Sequence, residues 1–290
     1  MRPPRPHTRF DGIGLGLRQP LAQALLQARP KGLAFLEIHP ENYVERGGTY
    51  PAMLEQAKEH WPVLSHGLTL GLGNTEPFEK GYVKVLRQFL SWQLKTPWHS
   101  EHLCFTQADG RMLHDLLPLP FNKSAIQTAV QRIRELRDAL EIPIAIENVS
   151  YYANLEPPRM PEVEFLLEVL DKADALLLLD VNNVYVNSIN HGFDPRAYLD
   201  CIPPERVVQL HIAGHLVRPD GIIIDTHAEP ICDPVYDLLD YTLRRLGPRP
   251  VLLERDDRFP EFHEILGEIN RLQAIYQRAV QPLNLMASTA

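Results

Sequence analysis

Six short apolar segments of the sequence each end in a histidine or a carboxylate. These end residues are His66, His102, Glu147, Asp180, His211 and Glu254. A lone histidine at such a place is more often an ordinary polar residue than a ligand. A lone carboxylate is as often a helix cap or an arginine partner as a catalytic group, and Glu254, followed by Arg255, could form such an ion pair. Three imidazoles and three carboxylates at one point, however, would repel or desolvate one another unless cations compensated them. The pattern therefore indicates a metal centre if the six segments converge.

A second group of possible ligands lies in the segment 224–229. Asp225 and His227 are separated by one residue, a spacing that puts both side chains on one face of an extended segment. This signal is weak alone, but beside the other ligands it supplies a third metal position. His215, four residues after His211, has three open interpretations: a ligand, a proton carrier behind a ligand, or a plain loop histidine.

The side-chain types narrow the choice of metal. Carboxylate, imidazole and amide ligands without a thiolate suit iron, manganese or zinc, and they argue against a structural cysteine-type zinc site. The carboxylates of the set are Glu147, Asp180, Asp225 and Glu254. These cannot by themselves neutralise three divalent ions. The surplus positive charge would favour a hydroxide or a substrate thiolate at the centre.

The elements that must position these residues alternate between short apolar strands and amphipathic helices. Strands are predicted at 12–16, 33–38, 62–66, 98–103, 142–146, 175–179, 207–210 and 250–253. Helices are predicted at 51–60, 83–94, 124–140, 161–170, 233–246 and 262–279. Apolar strands separated by helices predict a parallel sheet covered on its outer face. The predicted fold class is α/β, a single-domain (β/α)8 TIM barrel over residues 1–281, with a C-terminal tail at 282–290.

The barrel explains why the strand ends would meet, because active sites of this fold lie at the carboxyl ends of its strands. Glu37 begins the segment 37–43 at the end of the second strand, which either forms ordinary loop structure or supports the ligands or contacts substrate. Asn148 and Asn182, each beside a predicted ligand, have the same alternatives: they orient a ligand or fill a polar niche.

Composition excludes several classes of function. The chain has 290 residues and a net charge of -8, so bulk charge does not steer it toward nucleic acid. Its three cysteines, Cys104, Cys201 and Cys232, cannot all pair, which predicts free thiols in a reducing compartment. The N-terminal segment has no apolar stretch typical of a signal peptide, and no membrane-length apolar run is present. We therefore expect a cytoplasmic protein.

Six strings, in order along the chain, resemble a known family. They are Ser65-His66-Gly67, Ser100-Glu101-His102-Leu103-Cys104-Phe105, Ile146-Glu147-Asn148-Val149-Ser150-Tyr151-Tyr152, Asp180-Val181-Asn182-Asn183-Val184-Tyr185-Val186-Asn187, Gln209-Leu210-His211-Ile212-Ala213-Gly214-His215 and Asp225-Thr226-His227. From about Gly12 to Glu254 the chain is similar to the multinuclear non-haem iron family typified by MbnB, the methanobactin-biosynthesis oxidase. The broader superfamily is that of xylose isomerase and the trinuclear apurinic endonucleases.

The resemblance implies three sets of ligands. The first set is His66, His102 and Glu147; the second is Glu147 as a bridge, Asp180, His211 and Glu254; the third is Asp225, His227 and Asn183. Asn183 stands where the endonucleases have a histidine. That departure weakens the third position and argues against a simple transfer of nuclease activity.

The resemblance further implies the reaction. It is the O2-dependent oxidative modification of cysteine in a ribosomally made precursor peptide, with a separate partner protein that presents the peptide. The cofactor implied is iron, two or three ions in mixed Fe(II) and Fe(III) states. Manganese or zinc remains possible as a bound ion, but zinc has no accessible redox change.

Three other interpretations stay open. A metal-dependent hydrolase or endonuclease-like phosphoesterase would use the ions to generate hydroxide and to clamp a phosphate. An isomerase would need a base at the barrel mouth, and no lysine lies at a predicted strand end. A metal-storage module would need no catalytic group at all.

Overall fold

The computed structural model describes residues 10–108, 110–154 and 156–287, and it contains twelve strands within these ranges. They are β1 (Ile13–Gly16), β2 (Leu33–Ile38), β3 (Val63–Gly67), β4 (His99–His102), β5 (Cys104–Ala108), β6 (Arg111–Pro118), β7 (Ile144–Glu147), β8 (Leu176–Asp180), β9 (Val207–Ile212), β10 (His215–Val217), β11 (Ile223–Asp225) and β12 (Val251–Leu253). Eight of them close a parallel barrel in the order β1-β12-β9-β8-β7-β4-β3-β2. The predicted (β/α)8 barrel is confirmed.

The helices cover the outside of the barrel. They are α1 (Gln19–Ala28), α2 (Thr49–Lys58), α3 (Lys80–Gln88), α4 (Lys123–Leu140), α5 (Glu162–Ala173), α6 (Val181–His191), α7 (Pro195–Cys201), α8 (Asp233–Leu246) and α9 (Phe262–Ala287). Among the described residues, none of these helices is long and apolar enough to cross a membrane. Their buried faces pack on the strands in one continuous apolar cluster.

Inside the barrel, a separate apolar layer closes the floor below the strand ends. It consists of Phe10, Phe35, Leu64, Trp98, Ala145, Leu178, Val208 and Leu252. Because side chains alternate along a strand, the residue two positions after an inward-facing one also faces inward. Leu64, Ala145 and Leu252 face inward, so the residues two positions later, His66, Glu147 and Glu254, also face inward. The polar ends of the strands therefore lie together on top of an apolar floor.

Several elements were not predicted. Two antiparallel hairpins, β5–β6 and β10–β11, follow barrel strands β4 and β9. Helix α6 begins directly after Asp180, where the many β-branched and asparagine residues favour no helix. The last helix continues to Ala287, beyond the predicted end at Ala279 and into the predicted tail, although Pro282 disfavours a helix interior. Residues 288–290 of that tail lie outside the described ranges.

Gly14 allows the floor to pack against β1. A Cβ atom at this position would lie 2.4 Å from the ring of Phe35, which is fully buried and has no room to move. We expect Gly14→Ala to lower the free energy of unfolding by about 1–3 kcal/mol, the usual cost of overpacking a core. Chemical denaturation would measure the change.

Gly267 in α9 provides the matched control, since a Cβ there would meet no atom of the described residues within 4 Å. Gly267→Ala should leave stability unchanged or raise it by up to about 1 kcal/mol, because alanine is the better helix former. Equal losses in the two variants would contradict this account of the floor.

Candidate metal centre

Glu147, at the end of β7, lies at the centre of the polar cluster. Its Oε2 atom is 3.0 Å from His66 Nε2 and 3.1 Å from His102 Nε2. Its Oε1 atom is 3.1 Å from His211 Nδ1, which is also 3.0 Å from Glu254 Oε2. All five side chains are buried. One carboxylate therefore contacts imidazoles from three other strands.

The predicted ligands of the first two positions come together as two sets that share Glu147. Ligand atoms of His66, His102 and Glu147 lie within 4.8 Å of one another, and so do those of Glu147, Asp180, His211 and Glu254. Each set has the size and composition that a first-row metal ion requires. The geometry thus assembles both sets from separate strands at one end of the barrel.

Several atoms of the cluster are close together without being hydrogen-bonded. Buried Glu147 Oε2, Asp180 Oδ2 and His211 Nδ1 find no hydrogen-bond partner among the described residues. Unpaired buried polar atoms are costly, and native structures rarely leave them so. Ligands at about 2.1 Å from one octahedral ion lie about 3 Å apart, which is the separation seen here. The residues therefore fit bound metal.

The charges of the cluster point the same way. Burial, with repulsion from Glu147 and Asp225, raises the pKa of Asp180 to about 8. Burial would also raise the pKa of Glu147, but the neighbouring imidazoles of His66 and His102 hold it well below its usual range. A cation would let both carboxylates ionise side by side.

Hydrogen bonds to the far nitrogens orient two imidazoles. His102 Nδ1 lies 3.0 Å from the carbonyl oxygen of Gly67, so Nδ1 donates and Nε2 keeps its lone pair for the centre. His66 Nδ1 lies 2.9 Å from Ser100 Oγ, whose own proton goes to the carbonyl of Ser65. Both histidines thus present Nε2 as a ligand atom.

Glu37 is part of the same arrangement, below the centre. His211 Nε2 lies 3.2 Å from Glu37 Oε1, on the side of the ring opposite Glu147. Gln209 Nε2 also donates to Glu37 Oε2, at 2.6 Å. The structure thus places Glu37 against a predicted ligand and fully buried, away from any substrate that arrives from solvent.

The three asparagines hold the start of α6. Asn148 accepts from the backbone N–H of Asp180 at 2.9 Å and donates to its carbonyl at 3.0 Å. Asn182 donates to Asp225 Oδ1 at 2.7 Å. Asn183 donates to the carbonyl of Asn148, while its own Oδ1 is buried and has no partner within the described ranges.

The third predicted position is looser than the other two. His227 Nε2 lies 3.0 Å from Asp225 Oδ1, but these two residues belong to neither tight set. Both oxygens of Asp225 already accept hydrogen bonds, from Asn182 and Ser150. His215 Nδ1 lies 2.8 Å from Asn182 Oδ1, so this histidine reaches Asp225 through an amide.

Sequence reasoning missed two charged residues beside the centre, Arg18 and Asp256. Arg18 pairs with Glu254 and Asp256, whereas Arg255, the neighbour of Glu254 in sequence, pairs with Glu268. The available signal was position: Arg18 follows β1 at the same edge of the barrel as the ligands. Sequence proximity favoured the wrong arginine.

Solved structures of low sequence identity share this fold. A xylose isomerase-like TIM barrel/4-hydroxyphenylpyruvate dioxygenase fusion protein has a TM-score of 0.65 at 15% identity; the match covers 96% of this chain and 44% of that one. The Escherichia coli 3-keto-D-glucoside 4-epimerase YcjR has a TM-score of 0.62 at 11% identity, covering 91% and 99%. The fold is that of a xylose isomerase-like TIM barrel.

Sequence relatives define the family within that fold. Residues 12–277 match the family described as RiPP precursor modification enzyme MbnB/TglH/ChrH, where RiPP denotes a ribosomally synthesised and post-translationally modified peptide. A UPF0276 protein of Shewanella loihica is 41% identical over 270 residues, 93% of this chain and 96% of the relative. A Pseudomonas aeruginosa relative, UPF0276 protein PA3283, is 41% identical over 269 residues, 93% and 94% of the two chains. The chain belongs to the MbnB/TglH/ChrH family.

Removing the charge of Asp180 should have opposite effects with and without metal. In metal-free protein, Asp180→Asn relieves the repulsion in a buried site and keeps an oxygen to cap α6. We expect its Tm to rise by about 2–4 °C, the shift produced by roughly 1 kcal/mol in a chain of this size. With metal added, wild type should melt above the variant. Calorimetry with chelator and with metal measures both.

Asp194→Asn is the matched control, because Asp194 caps α7 by the same kind of bond and belongs to none of the ligand sets. Its effect on Tm should be the same with chelator and with metal. If Asp180→Asn also behaved alike in both conditions, Asp180 would act only as a cap.

Proposed function

We propose that this chain uses a multinuclear iron centre to oxidise cysteine in a ribosomally made precursor peptide, in an O2-dependent reaction and with a partner protein that presents the peptide. The observation that carries the proposal is the pair of ligand sets sharing Glu147 at the mouth of the barrel. Membership of a family of precursor-modifying enzymes supports a peptide substrate.

Each proposed ion would be held by its own set of side chains. His66 and His102 would hold the first ion, and Asp180, His211 and Glu254 the second, with Glu147 between them. Asp225 and His227 would hold a third ion, with Asn183 contributing its free amide oxygen. Iron supplies the change of oxidation state that O2 chemistry needs and that zinc lacks.

The charge of the centre suggests how the substrate is selected. The carboxylates of Glu147, Asp180, Asp225 and Glu254 do not balance three divalent ions. A cysteine thiolate is a soft anionic ligand that would neutralise part of the surplus. Glu37, buried and paired with His211, keeps that imidazole in place while the substrate binds.

Replacing Glu147 should remove more than one ion, because both ligand sets depend on it. We expect Glu147→Ala to lower iron content by about two ions per chain while the circular dichroism of the barrel stays unchanged. His66→Ala and Asp180→Ala should lower iron content less and abolish turnover. Elemental analysis of protein purified without oxygen gives the metal content.

Glu55→Ala, an exposed position on α2 whose carboxylate pairs with Lys58, should retain the metal content of wild type. Unchanged iron in Glu147→Ala would contradict the bridging assignment.

Oxygen consumption separates this function from hydrolysis. Iron-loaded protein with its partner should consume O2 only when a cysteine-containing precursor peptide is present, and a peptide with serine in place of cysteine should give no consumption. Zinc-loaded protein should bind the peptide and consume no O2. Cleavage of abasic DNA without O2 uptake would favour the phosphoesterase alternative instead.

A further inference from the structure

Arg18 joins two segments that carry proposed ligands. It follows β1, is only 8% exposed, and its guanidinium reaches two carboxylates at once. Its Nε donates to Asp256 Oδ1 at 2.5 Å, and its Nη2 donates to Glu254 Oε1 at 3.3 Å. A planar guanidinium suits this arrangement, because its donors are held in a fixed fork.

Asp256 turns its other oxygen to His227. The distance from His227 Nδ1 to Asp256 Oδ2 is 2.8 Å. Because an ionised carboxylate only accepts hydrogen bonds, Nδ1 must be the donor. The other ring nitrogen, Nε2, lies 3.0 Å from Asp225 Oδ1. It is buried and has no hydrogen-bond partner among the described residues.

The two oxygens of Glu254 also face different partners. Its Oε1 accepts from Arg18, while its Oε2 faces His211 Nδ1 at 3.0 Å. Arg18 thus occupies one oxygen of the carboxylate and leaves the other toward the centre. The same side chain fixes both Glu254 and the residue behind His227.

We propose that Asp256 and Arg18 are positioning residues for the outermost ion. Asp256 holds His227 as the tautomer with the proton on Nδ1, so that Nε2 and Asp225 form a two-atom site, and Arg18 anchors Asp256 beside Glu254. This inference rests on the proposed function, since it presupposes an ion at Asp225 and His227. Carboxylates that hold the far nitrogen of a ligating histidine are a general device of metal sites.

A competing assignment makes Asp256 a ligand itself. Ligand atoms of His39, Glu254 and Asp256 lie within 4.8 Å of one another. The partners of Asp256, however, are the cationic guanidinium of Arg18 and the ring of His227, whereas both oxygens of Asp225 accept only from the neutral side chains of Asn182 and Ser150. Those bonds favour the positioning role, and the double variant described next decides between the two.

Metal binding tests the role of Asp256. In Asp256→Ala we expect the affinity for the most weakly held ion to fall about 10- to 100-fold, as for other residues behind metal ligands. His227→Ala should lose that ion, and His227→Ala/Asp256→Ala should lose no more than His227→Ala alone. Titration with Fe(II) under anaerobic conditions measures the affinities, and circular dichroism checks the fold. A larger loss in the double variant would make Asp256 a ligand and overturn the proposal.

Two further variants sharpen the comparison. Arg18→Lys keeps the charge but loses the fork, so its affinity for the weakest ion should fall between those of wild type and Asp256→Ala. Asp233→Ala breaks another aspartate–arginine pair, with Arg271 on the surface, and should bind metal as wild type does. Unchanged metal affinity in Asp256→Ala would overturn the positioning role.

The protonated nitrogen of His227 can be observed without iron. In histidine-labelled, metal-free wild type at a pH at which His227 is neutral, nitrogen NMR should show the ring proton on Nδ1, with His227→Gln giving the assignment. In Asp256→Ala that preference should be lost. A bare Nδ1 in wild type would overturn the positioning role itself. Failure of wild type to bind an ion at Asp225 and His227 would instead overturn the proposed third ion.

Discussion

The concentration of buried acids and imidazoles at one end of the barrel is the constraint on which the rest of the structure depends. Glu147 contacts three histidines from three strands, and Asp180 and Glu254 lie in the same set. Removing such groups from water is costly, and their mutual attraction repays the cost only if every charge is compensated. The surrounding side chains and the proposed ions together make this arrangement stable.

The apolar floor supports the cluster from below, and hydrogen bonds to the histidines fix the orientation of their rings. The floor of large apolar residues fixes the height of the strand ends and excludes water from below. Above it, Ser100, the carbonyl of Gly67 and Glu37 each hold the far nitrogen of one imidazole. The near nitrogens therefore keep one direction even before anything binds, which is what a pre-organised site requires.

Much of this arrangement followed from the sequence because it obeys local rules. Strands of continuous apolar residues ended in polar side chains, and strand alternation together with parallel closure was enough to bring His66, Glu147 and Glu254 to one side. The hairpins were missed because β10 and β11 have only three residues each and the pairing of β5 with β6 is irregular, so neither hairpin has a clear alternating pattern. Helix α6 was missed because its asparagines and β-branched residues disfavour a helix, and it is Asp180 and Asn148 that fix its first turn.

Contacts between distant parts of the chain were beyond sequence reasoning. Arg18 and Asp256 are 238 positions apart, and no local pattern in the sequence pairs one with the other. Arg255 was the natural partner to suggest for Glu254 because it is adjacent, yet neighbours on an extended segment point to opposite sides. Only the closed barrel, which pairs β1 with β12, brings the first and last strand ends together.

The two oxygens of Asp180 have different roles. Oδ1 accepts a hydrogen bond from the backbone N–H of Asn183 in the first turn of α6, while Oδ2 is buried and has no hydrogen-bond partner among the described residues. This carboxylate therefore links the first turn of α6 to whatever binds at the barrel mouth. A glutamate would carry the same charge, but its extra methylene would displace one oxygen or the other. Shape, and not charge alone, therefore favours aspartate at this position. A group that binds Oδ2 also acts on α6, the helix that contacts β11 and hence the strand that ends at Asp225.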